Sequence, residues 1–254
     1  MIKLFRRVRY DLMEKNKTAK YLKYAVGEIV LVVIGILIAL SINNWNENAK
    51  NKRIEISYLI RISKDLENDL LEFEKTKEIT QQRNDRVIFL QHAIEDVDLV
   101  HKSSDYFVNS IVIAGYTYRP SISNHSFDEL KSSGRLALIQ NEELRVSIAK
   151  YYDFVFNQSQ WNFLAEEVQL KYNEYSTGIL NQDQLNKVLS ESDTLNITKK
   201  QLEDIFQRFL SKKEFHSLLP QVFQYKYEAI LSMDNSKEYA ERLKLDIQNE
   251  LNGI

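Results

Sequence analysis

Arginine and tyrosine side chains that could bind a ligand occur in two stretches near the middle of the chain. The first stretch surrounds Pro120 and is predicted to be an irregular loop, and the second spans a short helix and the start of a long one. The residues are Tyr116, Tyr118 and Arg119 in the first stretch, and Arg135, Arg145, Tyr151 and Tyr152 in the second. Arg and Tyr are enriched at recognition surfaces. Two interpretations are open: the stretches converge on an anionic or aromatic ligand or a partner, or they brace a helix corner, with Arg145 pairing an acidic neighbour.

Residues suited to catalysis or metal binding are sparse in the rest of the chain. The four histidines are scattered, and the nearest approach to a helical metal motif is Asp98-x-x-His101. The chain has no Cys, which excludes thiolate chemistry and Cys-ligated zinc. GxGxxG, GxSxG and HExxH are all missing. We therefore expect a protein that is not an enzyme, with no catalytic residue, no metal site and no cofactor.

The elements that position these residues are predicted to be helices. Gly and Pro together number 8 of 254 residues, against an ordinary share of roughly 12%. Turn-rich β folds need these residues at their corners. The composition therefore favours an all-α chain. The only strand-like run is RLALI, residues 135–139.

A continuous apolar run near the N-terminus predicts one transmembrane helix, over residues 25–45. Residues 25–42 read AVGEIVLVVIGILIALSI, which is about 27 Å of helix. Tyr21 and Tyr24 before the run and Trp45 after it suit the two water interfaces. The alternative is a cleaved signal peptide, because Ala39-Leu40-Ser41 has the small-residue spacing of a cleavage site.

Charge on either side of this run predicts its orientation. Residues 1–24 hold eight Lys or Arg and two acidic residues, a net charge of plus 6. From residue 43 onward the net charge is minus 7. The positive-inside bias therefore predicts a cytoplasmic N-terminus and an exported remainder. The basic segment is expected either to lie on the membrane as an amphipathic helix or to be a solvated tail. The acidic exported part argues against nucleic acid as a partner.

One face of the apolar helix combines small and polar residues. At 100° per residue the face contains Glu28, Gly35, Ala39, Ile42 and Asn46. Small residues four apart let helix backbones approach closely in a membrane. This face is hypothesised to be a homo-oligomer seam or a docking surface for a partner helix. The alternative is that Glu28 reaches the headgroups and the face has no role.

The exported part is predicted to start with a long helical rod over residues 46–101. A helical bundle, antiparallel in arrangement, then follows over residues 102–254. Helix starts are predicted from side chains able to cap a free backbone N–H. These starts are at Ser104, Ser126 with Glu129, Asn141, Asn181, Thr198 with Gln201, Ser211 with Glu214, and Pro220 in a first turn. Gly115 and Gly134 are predicted to end helices, and the Asn141 helix is expected to reach about Tyr175.

The family resemblance starts in residues 20–47, which read KYLKYAVGEIVLVVIGILIALSINNWNE. This segment resembles the N-terminal signature of a domain-of-unknown-function family of bacterial single-pass inner-membrane proteins. The recurring parts are residues 27–29, 33–40 and 43–46. Residues 126–152, which read SFDELKSSGRLALIQNEELRVSIAKYY, resemble an internal block of that family. The resemblance implies a bacterial inner-membrane anchor and a mainly helical periplasmic domain, and it carries over no activity, cofactor or catalytic residue.

Two functional hypotheses follow from this organisation. The leading hypothesis is an oligomeric envelope scaffold or assembly factor that contacts the lipid bilayer, further copies of itself and another envelope protein. The alternative is a ligand-sensing bundle, which would need a separate output partner. A concave pocket lined by Arg and Tyr would favour a ligand, whereas a dry core with an exposed apolar patch would favour protein partners.

Overall fold

The computed structural model describes residues 18–156, 159–190 and 195–253, with side chains apart from those of 18–21, 24 and 159–164. Within these ranges the fold is all-helical, with no β-strand, so the prediction of an all-α chain is confirmed. The run RLALI contains a 3-10 helix, Leu136–Leu138, instead of a strand. Residues 1–17 of the predicted basic segment lie outside the described part of the chain.

The α-helices of these ranges follow one another from the membrane-type helix to the C-terminus. They are α1 (Thr18–Ala93), α2 (Val97–Lys102), α3 (Ser104–Ile113), α4 (His125–Ser132), α5 (Glu142–Phe156), α6 (Ser159–Ser176), α7 (Gln182–Leu189), α8 (Lys199–Ser211) and α9 (Lys213–Gly253).

Helix α1 is 76 residues long. No Gly or Pro interrupts the chain between Gly35 and Gly115, so nothing in the later part of α1 breaks its backbone hydrogen bonds. The helix ends at Ala93, before the predicted rod end at residue 101. The physical reason is Asp96, whose side chain accepts from the Leu99 N–H at 2.9 Å and starts α2.

The chain divides into two compact units, Met1–Ser57 and Tyr58–Ile254. In the first unit, an 18-residue window of α1 has a mean hydropathy of 2.7 and none of it is buried. Among the described residues this is the one helix long and apolar enough to cross a membrane. The apolar side chains of the run are exposed, for example Ile29 and Leu31.

The second unit contains the hydrophobic core. Helix α9 packs against α5 and α6. Its first turns contribute Phe215 to a core that also contains Leu90, Phe107, Ile205 and Phe209. The Phe107 and Phe209 rings meet edge to face with centroids 5.2 Å apart. Residues distant in sequence therefore share one core, which fixes the positions of the loops between the helices.

Three predicted helix caps are confirmed. The Asn141 side chain accepts from the Leu144 N–H at 3.1 Å. Asn181 and Thr198 each form a complete capping box, with Gln184 and Gln201 respectively. Gly134 follows α4 with a φ of 69°, a conformation that glycine adopts without steric cost.

Other predicted helix starts are wrong. Ser104 is already helical and Ser103 is the cap residue of α3, without a side-chain hydrogen bond. Ser126 is buried in the first turn of α4, which follows Asn124. The Ser211 hydroxyl donates back to the Arg208 carbonyl at 2.7 Å, so it closes α8 instead of opening α9.

One further difference concerns the long helices. Pro220 lies inside α9 and not in its first turn. The helix predicted from Asn141 to about Tyr175 is described over Glu142–Phe156 and Ser159–Ser176, and residues 157–158 between them lie outside the described part. Pro220 removes one N–H from α9, and packing of α9 on α5 and α6 stabilises the helix despite that loss.

The contrast between Thr198 and Ser211 gives a testable prediction. Thr198→Ala removes the acceptor for the Gln201 N–H and should lower the free energy of unfolding by about 1 kcal/mol. Ser211→Ala removes a hydroxyl from the last residue of α8. Its free energy of unfolding should stay within about 0.5 kcal/mol of that of the original protein. Urea unfolding of both variants measures the difference. Equal losses would contradict the assignment of the cap.

Candidate functional site

A cavity of about 530 Å³ lies among α1, α5, α6, α9 and the loop between α3 and α4. Most of its lining side chains are apolar or aromatic. Helix α1 contributes Phe73 and Thr80, and the loop contributes residues 115–120 and Ile122. The helices contribute Phe154, Val155, Phe156, Ala165, Val168, Gln169, Val222, Tyr225, Lys226, Glu228, Ala229, Leu231, Ser232, Met233, Asn235 and Ser236. Apolar walls with a few polar groups are typical of small-molecule sites.

Lys226 is the buried cationic side chain of this cavity. Only 5% of the residue is exposed. Its Nζ donates a hydrogen bond to the Tyr116 carbonyl oxygen at 2.9 Å. Burial lowers the pKa of the Lys226 ammonium to about 7, and the positive charge of Arg83 contributes to this value. The cation is therefore held in surroundings that disfavour its charge.

Arg83 on α1 binds the same carbonyl. Its Nη1 donates to the Tyr116 oxygen at 3.3 Å, so two cationic side chains share one neutral acceptor. Burial lowers the pKa of the Arg83 guanidinium. The ion pairs found among the described residues include neither Lys226 nor Arg83.

The loop that carries Tyr116 is held by close packing and hydrogen bonds. A Cβ atom added at Gly115 would lie 2.2 Å from Cδ1 of Tyr172, so only glycine fits there. The backbone N–H and the hydroxyl of Thr117 both donate to Gln169 Oε1, at 3.1 and 2.6 Å. Arg119 forms an ion pair with Glu166. These contacts fix the carbonyl that Lys226 and Arg83 share.

Of the predicted Arg and Tyr residues, the structure brings three to the cavity. Tyr116, Tyr118 and Arg119 line it, as part of a loop that the sequence predicted to be irregular. The centroid of the Tyr118 ring lies 5.6 Å from Lys75 Nζ and 5.9 Å from the Arg83 guanidinium carbon. Two cationic side chains therefore lie beside the Tyr118 ring.

The other four predicted residues lie away from the cavity lining. Arg135 donates to the Tyr58 hydroxyl at 3.5 Å. Arg145 donates to the Ile139 carbonyl at 2.9 Å and lies 3.8 Å from Glu142, which is the corner-bracing arrangement. Tyr151 and Tyr152 are buried, and burial raises the pKa of both hydroxyls.

A buried carboxylate, Asp69, connects Tyr151 to the loop. Asp69 is fully buried and accepts from the Ser123 N–H and from the Tyr151 hydroxyl, each at 2.7 Å. Desolvation raises the pKa of Asp69 to about 6, although both hydrogen bonds oppose this change. Tyr152 donates to the Ser123 carbonyl at 3.4 Å. This network positions the end of the loop.

The residues of the predicted membrane face all lie on α1. Nothing approaches within 4 Å of a Cβ added at Gly35, and Ile42 is exposed. The predicted seam of Glu28, Gly35, Ala39, Ile42 and Asn46 stays a prediction. Of the predicted interface residues, Trp45 is exposed, and the side chains of Tyr21 and Tyr24 lie outside the described part.

Sequence reasoning missed Lys226 and Arg83, although a signal for Lys226 exists. Val222, Lys226, Ile230 and Met233 follow one another at helical spacing, and all four are buried. A charged residue within an apolar stripe indicates a buried charge. For metals, no group of three or more His, Asp or Glu residues suited to an ion occurs in the part of the chain that is described.

Comparison with known proteins gives one match. A protein-family model described as a family of unknown function, DUF6090, matches residues 28–204. No curated protein and no solved structure matches the chain. The matched range includes the whole of the second stretch of the family resemblance, residues 126–152, and the first stretch from residue 28 to residue 47.

Proposed function

We propose that this chain, which belongs to the family of unknown function DUF6090, is a membrane-anchored helical module that binds a small molecule in the cavity around Lys226. The observation that carries the proposal is a cavity of about 530 Å³ with apolar walls and a buried cation. The volume lies within the usual range of ligand sites, roughly 300 to 1,000 Å³. This arrangement favours a ligand over a purely structural role.

The proposal includes an orientation for the module. The apolar run of α1 would cross the bacterial inner membrane, with the basic N-terminal segment in the cytoplasm. The remaining helices would form an antiparallel bundle in the periplasm. Support comes from the charge asymmetry, plus 6 before the run and minus 7 after it, and from the apolar window of α1.

The module would act as a sensor through a separate output partner. Helix α1 contains the candidate membrane span and also contributes Phe73 and Thr80 to the cavity wall. A ligand that contacts these two side chains can therefore bias the conformation of the helix that enters the membrane. Differential binding to two conformations is the requirement for such a shift.

The scaffold hypothesis is retained as a second candidate, because α1 offers an open face at Gly35. In that case the predicted seam would join copies of this chain or bind another envelope protein. The mass of the chain in lipid nanodiscs, measured by native mass spectrometry, reports the number of copies. A single copy in every disc would contradict the seam.

Filling the cavity tests the ligand proposal. Full-length protein in nanodiscs should show slower amide hydrogen exchange over residues 115–122 and 222–236 when decanoate is added. Ala229 is exposed on α9 and lines the cavity, so Ala229→Phe places a ring there and should abolish this protection.

The matched control adds the same ring elsewhere on α9. Gln224 is exposed and lies outside the cavity lining, so Gln224→Phe should leave the protection unchanged. Decan-1-ol, with the same apolar chain and a neutral head, serves as a second probe. The proposed function fails if neither probe protects these residues, or if Ala229→Phe protects as well as the original chain.

A further inference from the structure

We propose that the ligand of the cavity is an apolar molecule with a single anionic head group, a carboxylate or a phosphate monoester, whose head binds Lys226 Nζ. This inference rests on the proposed function and names the chemical class of its ligand. The charge, the hydrogen bonding and the walls of the cavity each support it.

The charge of the cavity is the first argument. A buried lysine or arginine is ordinarily paired with a carboxylate, because an unpaired charge is costly to desolvate. Lys226 and Arg83 lack such a pair among the described residues and share the Tyr116 carbonyl instead. One peptide dipole does not neutralise two cations. With Lys226 in its ammonium form, the site therefore has excess positive charge, which an anion would balance.

The acidic residues close to the cavity do not supply this balance. Glu166 is already paired with Arg119. Glu228 also lines the cavity, but none of the ion pairs among the described residues joins it to Lys226. An anion from outside the chain is therefore the missing partner.

The hydrogen-bonding capacity of Lys226 is the second argument. An ammonium group carries three N–H donors. Among the described residues, Nζ donates to one acceptor, the Tyr116 oxygen. The remaining donors match the oxygens of a carboxylate or phosphate. Hydrogen bonds between charged groups are stronger than neutral ones, and more so away from water.

The walls of the cavity are the third argument. Phe73, Ile122, Phe154, Val222 and Met233 present apolar surface to the same cavity as Lys226. A small polar anion such as acetate would leave this surface in contact with water. An apolar chain behind the anionic head would bury this surface, which is favourable because apolar area leaves water. Walls and charge together therefore select an amphiphilic anion.

The test compares three molecules that have the same apolar chain and differ only in their head group. Full-length protein in nanodiscs of zwitterionic lipid is titrated with decanoate, decyl phosphate and decan-1-ol, and protection of residues 115–122 and 222–236 gives each affinity. The original chain should bind at least one anion about tenfold more tightly than the alcohol. Preference between the two anions distinguishes a free carboxylate from a phosphate head group as the source.

Lys226→Met supplies the decisive variant. Methionine keeps the apolar stem and removes the charge, so anion affinity should fall by about tenfold or more while decan-1-ol affinity is kept. Binding of the alcohol shows that the cavity of the variant is intact. Lys237→Met is the control on the same helix, because Lys237 is paired with Glu74 and does not line the cavity.

Two results would overturn the inference. The first is equal affinity of the original chain for decan-1-ol and for both anions. The second is undiminished anion binding by Lys226→Met. In either case decan-1-ol binding would leave the proposed function in place, whereas loss of binding by every probe would reject both.

Discussion

Gly115→Ala is expected to lower the free energy of unfolding of the unit Tyr58–Ile254 by about 3 kcal/mol. The added Cβ would lie 2.2 to 2.7 Å from three ring atoms of Tyr172, well inside van der Waals contact. The ring cannot move freely, because it is buried and its hydroxyl bonds the carbonyls of Ser110 and Ile111 at 3.3 and 3.1 Å. Urea unfolding of the full chain, followed by near-ultraviolet circular dichroism, measures the loss.

Two further variants separate this contact from the general effect of replacing glycine. Gly253→Ala adds a Cβ at a helical position with nothing within 4 Å and should not destabilise the protein. In a Tyr172→Leu background, Gly115→Ala should cost clearly less than in the original chain, since the ring is gone. The same cost in both backgrounds would show that Tyr172 is not the cause.

Asp69 is expected to make stability depend on pH in an unusual direction. Its folded-state pKa is about 6, against an ordinary value of 3.8, because burial disfavours the ionised carboxylate. Between these two values the folded chain binds the proton more tightly than the unfolded chain. The contribution of Asp69 to the free energy of unfolding therefore falls by about 2 kcal/mol as pH rises from about 4 to 6, and it levels off above about pH 7.

The measurement is the difference in unfolding free energy between the original chain and Asp69→Asn, taken from pH 4 to pH 7. Asparagine does not titrate and keeps an oxygen for the Ser123 N–H. The original chain should lose about 2.5 kcal/mol relative to this variant over the range. Asp85→Asn is the control, because Asp85 is an exposed aspartate on the same helix. A difference that stays constant with pH would contradict the assignment.

The helical class and the confirmed helix caps depend on short-range information. Scarcity of Gly and Pro leaves helices as the main option for the backbone. A cap such as Asn141 needs only the N–H three residues ahead, so its partner is present in any fold that contains the helix. The apolar window of α1 is also a property of consecutive residues.

The same local reasoning was wrong where tertiary contacts compete with it. Ser126 has the sequence of a capping box, yet it is buried in α4 after Asn124. Pro220 has the preference of a first turn, yet it lies inside α9, which packs against α5 and α6. Burial of these helix faces outweighs the local preference for a cap or a break.

The sequence by itself determined that the chain is helical, that it has one apolar helix near the N-terminus, and that Tyr116, Tyr118 and Arg119 lie in an irregular loop. Only the tertiary structure decided that this loop contacts Lys226 and that Arg145 and Tyr151 lie away from the cavity lining. The physical reason is that a cavity is enclosed by residues far apart in sequence, in this chain from Phe73 to Ser236. Which side chains meet there depends on how the helices pack, and helix periodicity carries no information on that pairing.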